Sequence, residues 1–154
     1  MIKILFVCHG NICRSPFAEF VMKDLVKSKG FEDKFYIRSA ATSTEEIGNG
    51  VYPPVKRLLE KRGIDCSEKR ATQVKKGDYE NFDYIICMDR NNLRNIGRIV
   101  GNDKENKISL LLDYTDTPRD VADPWYTGDF LATETDVDNG CLGLLEYIKK
   151  HNGI

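Results

Sequence analysis

Residues 2–16 carry the strongest structural signal in the chain and read IKILFVCHGNICRSP. Together with Met1, its apolar first part predicts a strand over residues 1–7, covered on both faces as in a parallel sheet. A polar turn follows over residues 8–15, and Pro16 suits the first turn of a helix. This order of strand, turn and helix is typical of an open α/β sheet, in which binding sites form at the carboxyl ends of the strands.

The same alternation continues along the rest of the chain. Apolar residues recur at helical spacing from Pro16 until Gly30, and Ser15 is placed as the N-cap of this first helix. Further strands are predicted at 35–39, 84–88 and 108–112, and further helices at 54–63, after Asp89, and at 137–148. Residues 113–127 are polar, contain two prolines and are predicted to be a loop. Residues 1–154 are therefore expected to form a single α/β domain with a four-stranded parallel sheet flanked by helices.

The composition bounds the classes of function. A chain of 154 residues has room for one domain of ordinary size, and 41% hydrophobic with 31% charged residues is typical of a globular protein. Lys+Arg 23 against Asp+Glu 24 leaves a net charge of -1, which excludes a broad basic surface for nucleic acid. No apolar run approaches the roughly 18 residues of a membrane span. The charge-rich stretch 56–76 is expected to be a solvated face.

Cysteine usage indicates a reducing compartment. The five cysteines cannot all pair within the chain, and no signal-peptide core precedes them, so the protein is expected in the cytoplasm. Three of them lie in a predicted loop, strand and helix without the close pairs of a zinc site, and we expect them only to pack: Cys66, Cys87 and Cys141. No metal and no cofactor is expected.

The turn at residues 8–15 has the features of a phosphate loop between strand 1 and helix 1. Backbone N–H groups and the positive end of the helix dipole would converge there on a tetrahedral dianion. Gly10 permits a tight turn, and Asn11 tolerates a left-handed conformation and can hydrogen-bond across the loop. Arg14 offers a planar fork for two phosphate oxygens. The same field favours a thiolate at Cys8.

A thiolate facing a bound phosphoryl group predicts nucleophilic displacement through a phosphocysteine. Cys8 would be the nucleophile, Arg14 would stabilise the equatorial oxygens, and the Ser15 hydroxyl would assist the thiolate as a leaving group. No metal is needed for this chemistry, because Arg14 and the loop amides carry the charge of the phosphoryl group.

The reaction also needs a proton donor for the departing oxygen. Asp123 is the candidate general acid, since it starts the segment DPWY, in which Trp125 and Tyr126 would form a wall for a flat leaving group. Three nearby aspartates compete for this role at the level of sequence: Asp113, Asp116 and Asp120.

At these residues the sequence resembles the low-molecular-weight protein tyrosine phosphatases. The matching motifs are CHGNICRS at 8–15, SAATS at 39–43, DYIICMD at 83–89 and DPWY at 123–126, so the resemblance covers essentially the whole chain. It implies catalytic roles for Cys8, Arg14 and Asp123 and a substrate pocket that includes Ile12, Trp125 and Tyr126. It also implies a set of phosphate-binding residues: His9, Gly10, Asn11, Ile12, Cys13, Arg14 and Ser15.

The resemblance raises two further points. Cys13 either only packs or forms a reversible disulfide with Cys8 that protects the thiolate from overoxidation, as the resemblance implies. The chain departs from the family at His9, where members often carry a small residue or Leu, and at Lys69, near which many carry a His. The loop 44–47 also lacks the aromatic residue that some members place at the pocket rim. These changes bear on peptide preference rather than on the chemistry.

Other functions of the same fold fit less well. A protein arginine phosphatase favours Thr where this chain has Ile12 and lacks the pair Trp125-Tyr126. An arsenate reductase needs a relay of two further cysteines, and Arg94 lies where the helix after the third strand would supply one. A non-catalytic phosphotyrosine-binding module need not keep both the thiol and the acid. The expected partners are tyrosine-phosphorylated proteins, not nucleic acid or membranes, and the chain is expected to be a monomer or weak dimer.

Overall fold

The computed structural model describes residues 1–154 and contains one parallel sheet. Its strands are β1 (Ile2–Cys8), β2 (Phe35–Ala41), β3 (Tyr84–Cys87) and β4 (Ile108–Leu110). They lie in the order β2-β1-β3-β4, and all neighbours are parallel, so the predicted α/β sheet is confirmed. The register places Cys8 beside Ala41 and Val7 beside Cys87. The carboxyl ends of β1, β2 and β3 therefore meet at one edge of the sheet.

Six α-helices and two short 3-10 turns connect and cover the strands. The helices are α1 (Arg14–Ser28), α2 (Pro53–Lys61), α3 (Asp78–Asn81), α4 (Arg90–Val100), α5 (Pro124–Thr127) and α6 (Phe130–Asn152), and the 3-10 turns are Glu32–Lys34 and Leu111–Tyr114. None of the helices combines the length and the apolar character that crossing a membrane requires.

Two predicted helix starts were wrong. Helix α1 begins at Arg14 rather than Pro16, and Ser15 does not cap it, because the N-cap position is Cys13 and the Ser15 hydroxyl is engaged within the loop. Helix α6 begins at Phe130, where Asp129 caps it by accepting a hydrogen bond from the backbone N–H of Ala132. Thr133 is the only buried residue among the first seven of α6, which is why apolar spacing did not reveal these turns.

The predicted loop 113–127 is also more structured than expected. Strand β4 ends at Leu110, two residues early, because the chain turns there into the 3-10 turn 111–114. Helix α5 occupies the end of the segment and starts at Pro124, with Asp123 as its N-cap.

The core lies on both faces of the sheet. Side chains alternate along β1, so Ile4, Phe6 and Cys8 join the larger cluster beneath α1 and α6, whereas Leu5 and Val7 join a smaller cluster with α4. The three cysteines expected to pack, Cys66, Cys87 and Cys141, are all buried. Because Cys8 is the last residue of a buried central strand, its position is fixed by the sheet.

Strand β2 forms one edge of the sheet. The Ile37 carbonyl accepts a hydrogen bond of 2.8 Å from Nη1 of Arg38. The guanidinium of Arg38 lies 4.3 Å from the centroid of the Tyr36 ring, within cation–π range. At its carboxyl end β2 is covered by residues 72–74, since Thr72 and Val74 exchange backbone hydrogen bonds with Ala41.

Candidate active site

The phosphate loop, residues 8–15, runs from the end of β1 into the first turn of α1. All of its residues are buried except His9 and Gly10. Asn11 has φ 59°, a left-handed conformation that non-glycine residues seldom adopt, and the loop holds it there with hydrogen bonds to both its backbone and its side chain. The turn predicted at residues 8–15 is therefore present, and it is tight and largely buried.

The thiol of Cys8 lies at the centre of this loop with two polar neighbours. Its Sγ is 2.9 Å from Oγ of Ser15 and accepts a hydrogen bond of 3.3 Å from the backbone N–H of Asn11. Both groups can donate a hydrogen bond to the sulfur, so two polar donors converge on this atom.

The side chain of Asn11 determines which way the Ser15 hydroxyl points. Its Oδ1 accepts a hydrogen bond from the backbone N–H of Thr72, which fixes the orientation of the amide. The amide Nδ2 therefore donates to Oγ of Ser15 at 2.8 Å and to Oγ of Ser39 at 2.9 Å. Because Ser15 accepts this bond, its own proton is free to point at Cys8.

A buried carboxylate supports this network from behind. Glu19 accepts a hydrogen bond of 2.5 Å from Ser39 and one of 2.6 Å from Lys23, and Nζ of Lys69 lies 3.6 Å away. Lys69 also donates to the Ser39 carbonyl at 2.9 Å. Burial lowers the pKa of Lys69, and the charge of Glu19 opposes that shift. Lys69 is thus not part of a solvated face, which corrects the prediction for residues 56–76 at this position.

Arg14 is buried and clamped along one side. Its Nη1 donates to Asp89 at 2.7 Å and to the Val121 carbonyl at 2.8 Å, and Nη2 makes a longer contact of 3.4 Å with Asp123. No protein group accepts from Nε, so the edge formed by Nε and Nη2 is available for two oxygens of a phosphate. Burial lowers the pKa of Arg14, but the charges of Cys8, Asp123 and Asp89 outweigh it, and the net shift is upward.

Among the competing aspartates only Asp123 lies at the cavity. Its Oδ1 accepts a hydrogen bond from the backbone N–H of Trp125, and its side chain is partly exposed. Asp120 instead accepts from the N–H of Arg90, and Asp113 from the N–H of Leu110. Asp116 is exposed and forms no side-chain hydrogen bond.

The loop and Asp123 enclose a cavity of about 110 Å³. It is lined by Cys8, His9, Gly10, Ile12, Cys13, Arg14, Glu45, Glu46, Asp123, Trp125 and Tyr126. The structure thus brings together every predicted site residue except Asn11 and Ser15, which lie behind the cavity wall. Trp125 packs on Tyr52, with ring centroids 4.9 Å apart, whereas Tyr126 is 83% exposed.

Cys13 lies in the same cavity wall but in a different chemical environment. Burial, and then the charge of Cys8, raise the pKa of the Cys13 thiol to about 12. No hydrogen-bond donor approaches its sulfur, and Cys8 and Cys13 are both free thiols in this structure. Two cysteines of one loop are therefore distinguished by their polar neighbours.

Sequence reasoning missed several residues around the site. Glu19 gave only a weak signal, a carboxylate within the buried stripe of α1, and Asp89 was predicted as an N-cap only. Asp89 does cap α4, accepting from the N–H of Asn92, but its other oxygen also binds Arg14. Glu45 and Glu46 line the cavity, and Tyr52 packs on Trp125 beside it. All three come from the long segment after β2, where no local pattern indicates a role at the site.

Comparison with known proteins agrees with this geometry. A sequence profile described as low molecular weight phosphotyrosine protein phosphatase matches residues 3–153. The chain is 40% identical over 152 residues to YfkJ of Bacillus subtilis, a low molecular weight protein-tyrosine-phosphatase, with 97% of each chain covered. It is 46% identical over 130 residues to the low molecular weight phosphotyrosine protein phosphatase of Gallus gallus, with 80% of each covered.

Solved structures lead to the same group of proteins. The crystal structure of Bacillus subtilis YfkJ superposes with a TM-score of 0.94, covering 98% of this chain and 96% of that one. A Drosophila arginine phosphatase, 29% identical, superposes with a TM-score of 0.86 over 96% of this chain and 98% of its own.

Proposed function

The chain belongs to the low molecular weight phosphotyrosine protein phosphatase family, and we propose that Cys8, Arg14 and Asp123 carry its hydrolysis of phosphotyrosine. The observation that carries this assignment is the cavity itself, in which a thiol flanked by two hydrogen-bond donors, the guanidinium of Arg14 and the carboxylate of Asp123 meet. That the chain is a protein tyrosine phosphatase, with phosphoproteins as its substrates, follows from its family membership.

In the first half of the reaction the Cys8 thiolate attacks phosphorus, and the bond from phosphorus to the tyrosine oxygen breaks. Asp123 donates its proton to that oxygen, so neutral tyrosine leaves and the phosphoryl group remains on sulfur. The Nε and Nη2 groups of Arg14 and the loop N–H groups bind the three equatorial oxygens.

In the second half water attacks the phosphocysteine. Asp123, now a carboxylate, takes a proton from that water, and the bond between sulfur and phosphorus breaks to release phosphate. The Ser15 hydroxyl stabilises the departing Cys8 thiolate, and Asn11 keeps that hydroxyl aimed at the sulfur. Ser15 and Asn11 thus serve both halves of the cycle, because the Cys8 thiolate is the attacking group in the first half and the leaving group in the second.

The test is phosphate release from phosphotyrosine, phosphoarginine and phosphoserine peptides without added metal. We expect turnover of the phosphotyrosine peptide, and its loss by on the order of 10⁴-fold or more in Cys8→Ser. Cys66→Ser, which changes a buried cysteine outside the cavity, is the matched control. Turnover that survives in Cys8→Ser, or that requires a metal, would overturn the mechanism, and preferred turnover of phosphoarginine would overturn the substrate assignment.

Asp123 is tested by Asp123→Asn beside Asp120→Asn. Only the loss of the true acid should lower kcat by about 10²- to 10⁴-fold while phosphate still binds. An equal loss in both variants would point to a structural effect on the loop and would contradict the role proposed for Asp123.

Cys13 is the proposed redox partner of Cys8. Peroxide would oxidise the Cys8 thiolate to a sulfenic acid, and the Cys13 thiol would displace water from it to form a disulfide that a thiol reductant restores. The five free cysteines also support a reducing compartment such as the cytoplasm. Peptide mapping after mild peroxide treatment should detect the Cys8–Cys13 bridge, and only higher oxides of Cys8 would contradict it.

A further inference from the structure

The rim of the catalytic cavity carries two kinds of exposed or half-buried side chain, carboxylates and aromatic rings. We infer that this phosphatase prefers phosphotyrosine that is flanked by arginine in the substrate protein. The inference rests on the proposed function, because the phosphate loop is what places the substrate chain against this rim. It concerns Glu45 and Glu46 on the segment after β2, and Trp125 and Tyr126 at α5.

The two carboxylates are held at the cavity by contacts within the rim. Oε2 of Glu45 lies 3.0 Å from Nε2 of His9, and Oε2 of Glu46 accepts a hydrogen bond of 2.6 Å from the side-chain amide of Asn49. The Cγ of Glu46 lies 3.4 Å from the position that a Cβ on Gly10 would occupy, so this side chain rests on the phosphate loop. In each carboxylate the second oxygen has no protein partner.

The charge at the rim is unbalanced. The cavity wall has two basic residues, His9 and Arg14, and Arg14 is buried and directed at the phosphate. Even a protonated His9 would leave the carboxylates of Glu45 and Glu46 in excess. A cation beside the phosphotyrosine is therefore attracted to the rim, where Glu46 has no basic partner and Glu45 has only His9, whereas an acidic neighbour meets like charge.

The aromatic wall favours arginine over lysine. Tyr126 is 83% exposed and takes part in no aromatic contact within the protein, and Trp125 is 52% exposed although it packs on Tyr52. A guanidinium plane can stack on such rings while its N–H groups donate to a carboxylate. The ammonium of lysine lacks the planar stacking surface.

The experiment compares kcat/KM for matched phosphotyrosine peptides that carry Arg, Lys, Ala or Glu beside the phosphotyrosine. At low ionic strength we expect the Arg peptide to exceed the Glu peptide by about 10-fold, with Lys and Ala between them, and the ratio to shrink in about 0.3 M salt. The double variant Glu45→Gln/Glu46→Gln should bring the ratio close to one, and Glu45→Lys/Glu46→Lys should invert it. Because both peptides undergo the same hydrolysis, any change that a variant causes in the chemical step cancels in the ratio of their kcat/KM values.

The matched control is Glu105→Gln/Glu146→Gln, which removes two exposed carboxylates far from the cavity and should keep the full preference. A ratio near one in the wild-type protein, or a ratio that persists in Glu45→Gln/Glu46→Gln, would overturn the inference. Turnover of a small aryl phosphate keeps the two proposals separate. If that turnover depends on Cys8 while the peptide ratio is one, only the rim inference fails, and if it does not depend on Cys8, the proposed function fails first.

Discussion

The phosphate loop and the cavity rim differ in how much of each is fixed by the rest of the protein. In the loop, Asn11 and Ser15 are buried, and their polar groups are engaged by neighbours from β2, α1 and the segment near Thr72. At the rim, Glu45 and Tyr126 are exposed and make few contacts. Both regions line one cavity, yet only the loop has its conformation fixed by contacts with residues distant in sequence.

This difference assigns separate tasks to the two regions. Chemistry at phosphorus requires atoms held within a few tenths of an ångström, and burial with complete hydrogen bonding supplies that rigidity. Recognition of a flanking peptide depends on exposed side chains that can change without disturbing the loop. Changes in the loop should therefore reduce kcat strongly, and changes at the rim should have small effects on KM.

The largest expected effect separates two thiols of the loop itself. At pH 7 a thiol with a pKa of about 12 is ionised to a fraction of only about 10⁻⁵, so Cys13 should resist alkylation by iodoacetamide. Cys8, with its two hydrogen-bond donors, should react on the order of 10³-fold faster or more. Mass spectrometry of timed digests measures both rates, and bound phosphate should protect Cys8. Comparable rates would show that hydrogen bonding does not set reactivity in this loop.

The next effect tests whether the contacts of Asn11 hold the loop. Asn11→Ala removes the donors to Ser15 and Ser39 and leaves the Thr72 N–H without its acceptor, so kcat for an aryl phosphate should fall on the order of 10²-fold. Asn106→Ala is the matched control, since Asn106 has a similar φ of 57° but lies in an exposed turn.

Both asparagine variants lose about 1 kcal/mol in the free energy of unfolding, because alanine disfavours the left-handed conformation. Asn11→Ala should lose more than that through its lost hydrogen bonds, and only this variant should lose activity. Circular dichroism would first confirm that both variants are folded. Equal kcat values would then show that the contacts of Asn11 matter no more for catalysis than those of the exposed Asn106.

A smaller effect is expected at the outer end of the network. Lys69→Met leaves Glu19 with Lys23 as its single basic partner and removes the donor to the Ser39 carbonyl. We expect kcat to fall on the order of fivefold, the equivalent of about 1 kcal/mol. Lys76→Met, at an exposed lysine of the same charge-rich segment, should change neither kcat nor KM. A wild-type kcat in Lys69→Met would show that Lys69 does not contribute to catalysis and that the supporting network extends no further than Ser39.

The smallest effect is expected at the rim. Tyr126→Ala removes an exposed ring from the cavity mouth, so KM for a phosphotyrosine peptide should rise about threefold while kcat stays nearly constant. Leu142→Ala, at an exposed apolar residue on α6, is the control. A large loss of kcat in Tyr126→Ala would mean that the rim contributes to the chemistry and would weaken the contrast with the loop.

Much of the fold could be predicted because its signals are local. The apolar run of β1 and the helical stripe after it predicted the order of strand, turn and helix correctly, although the helix begins two residues earlier than predicted. Ser15 was misjudged as an N-cap because its hydroxyl is committed to Cys8 and Asn11, a tertiary effect that no helix rule contains. The start of α6 was missed since a cap at Asp129, rather than an apolar face, defines it.

The site divides in the same way. The candidates Cys8 and Arg14 share one short loop, so their spacing revealed them. The partners that orient them are distant in sequence: Asp89 lies 75 residues from Arg14, and Ser39 lies 28 residues from Asn11. Such pairs exist only because parallel strands end at one edge of the sheet, and no single stretch of sequence records them.

The lysine behind the loop has a second consequence, for self-association. Edge strands attract other strands through their unpaired carbonyls, and on β2 the Ile37 and Ser39 carbonyls are occupied by Arg38 and Lys69. A strand from another molecule would have to displace two cations before it could pair there. We therefore expect that a chain that loses Lys69 leaves the Ser39 carbonyl of this sheet edge open to pairing with its own copies.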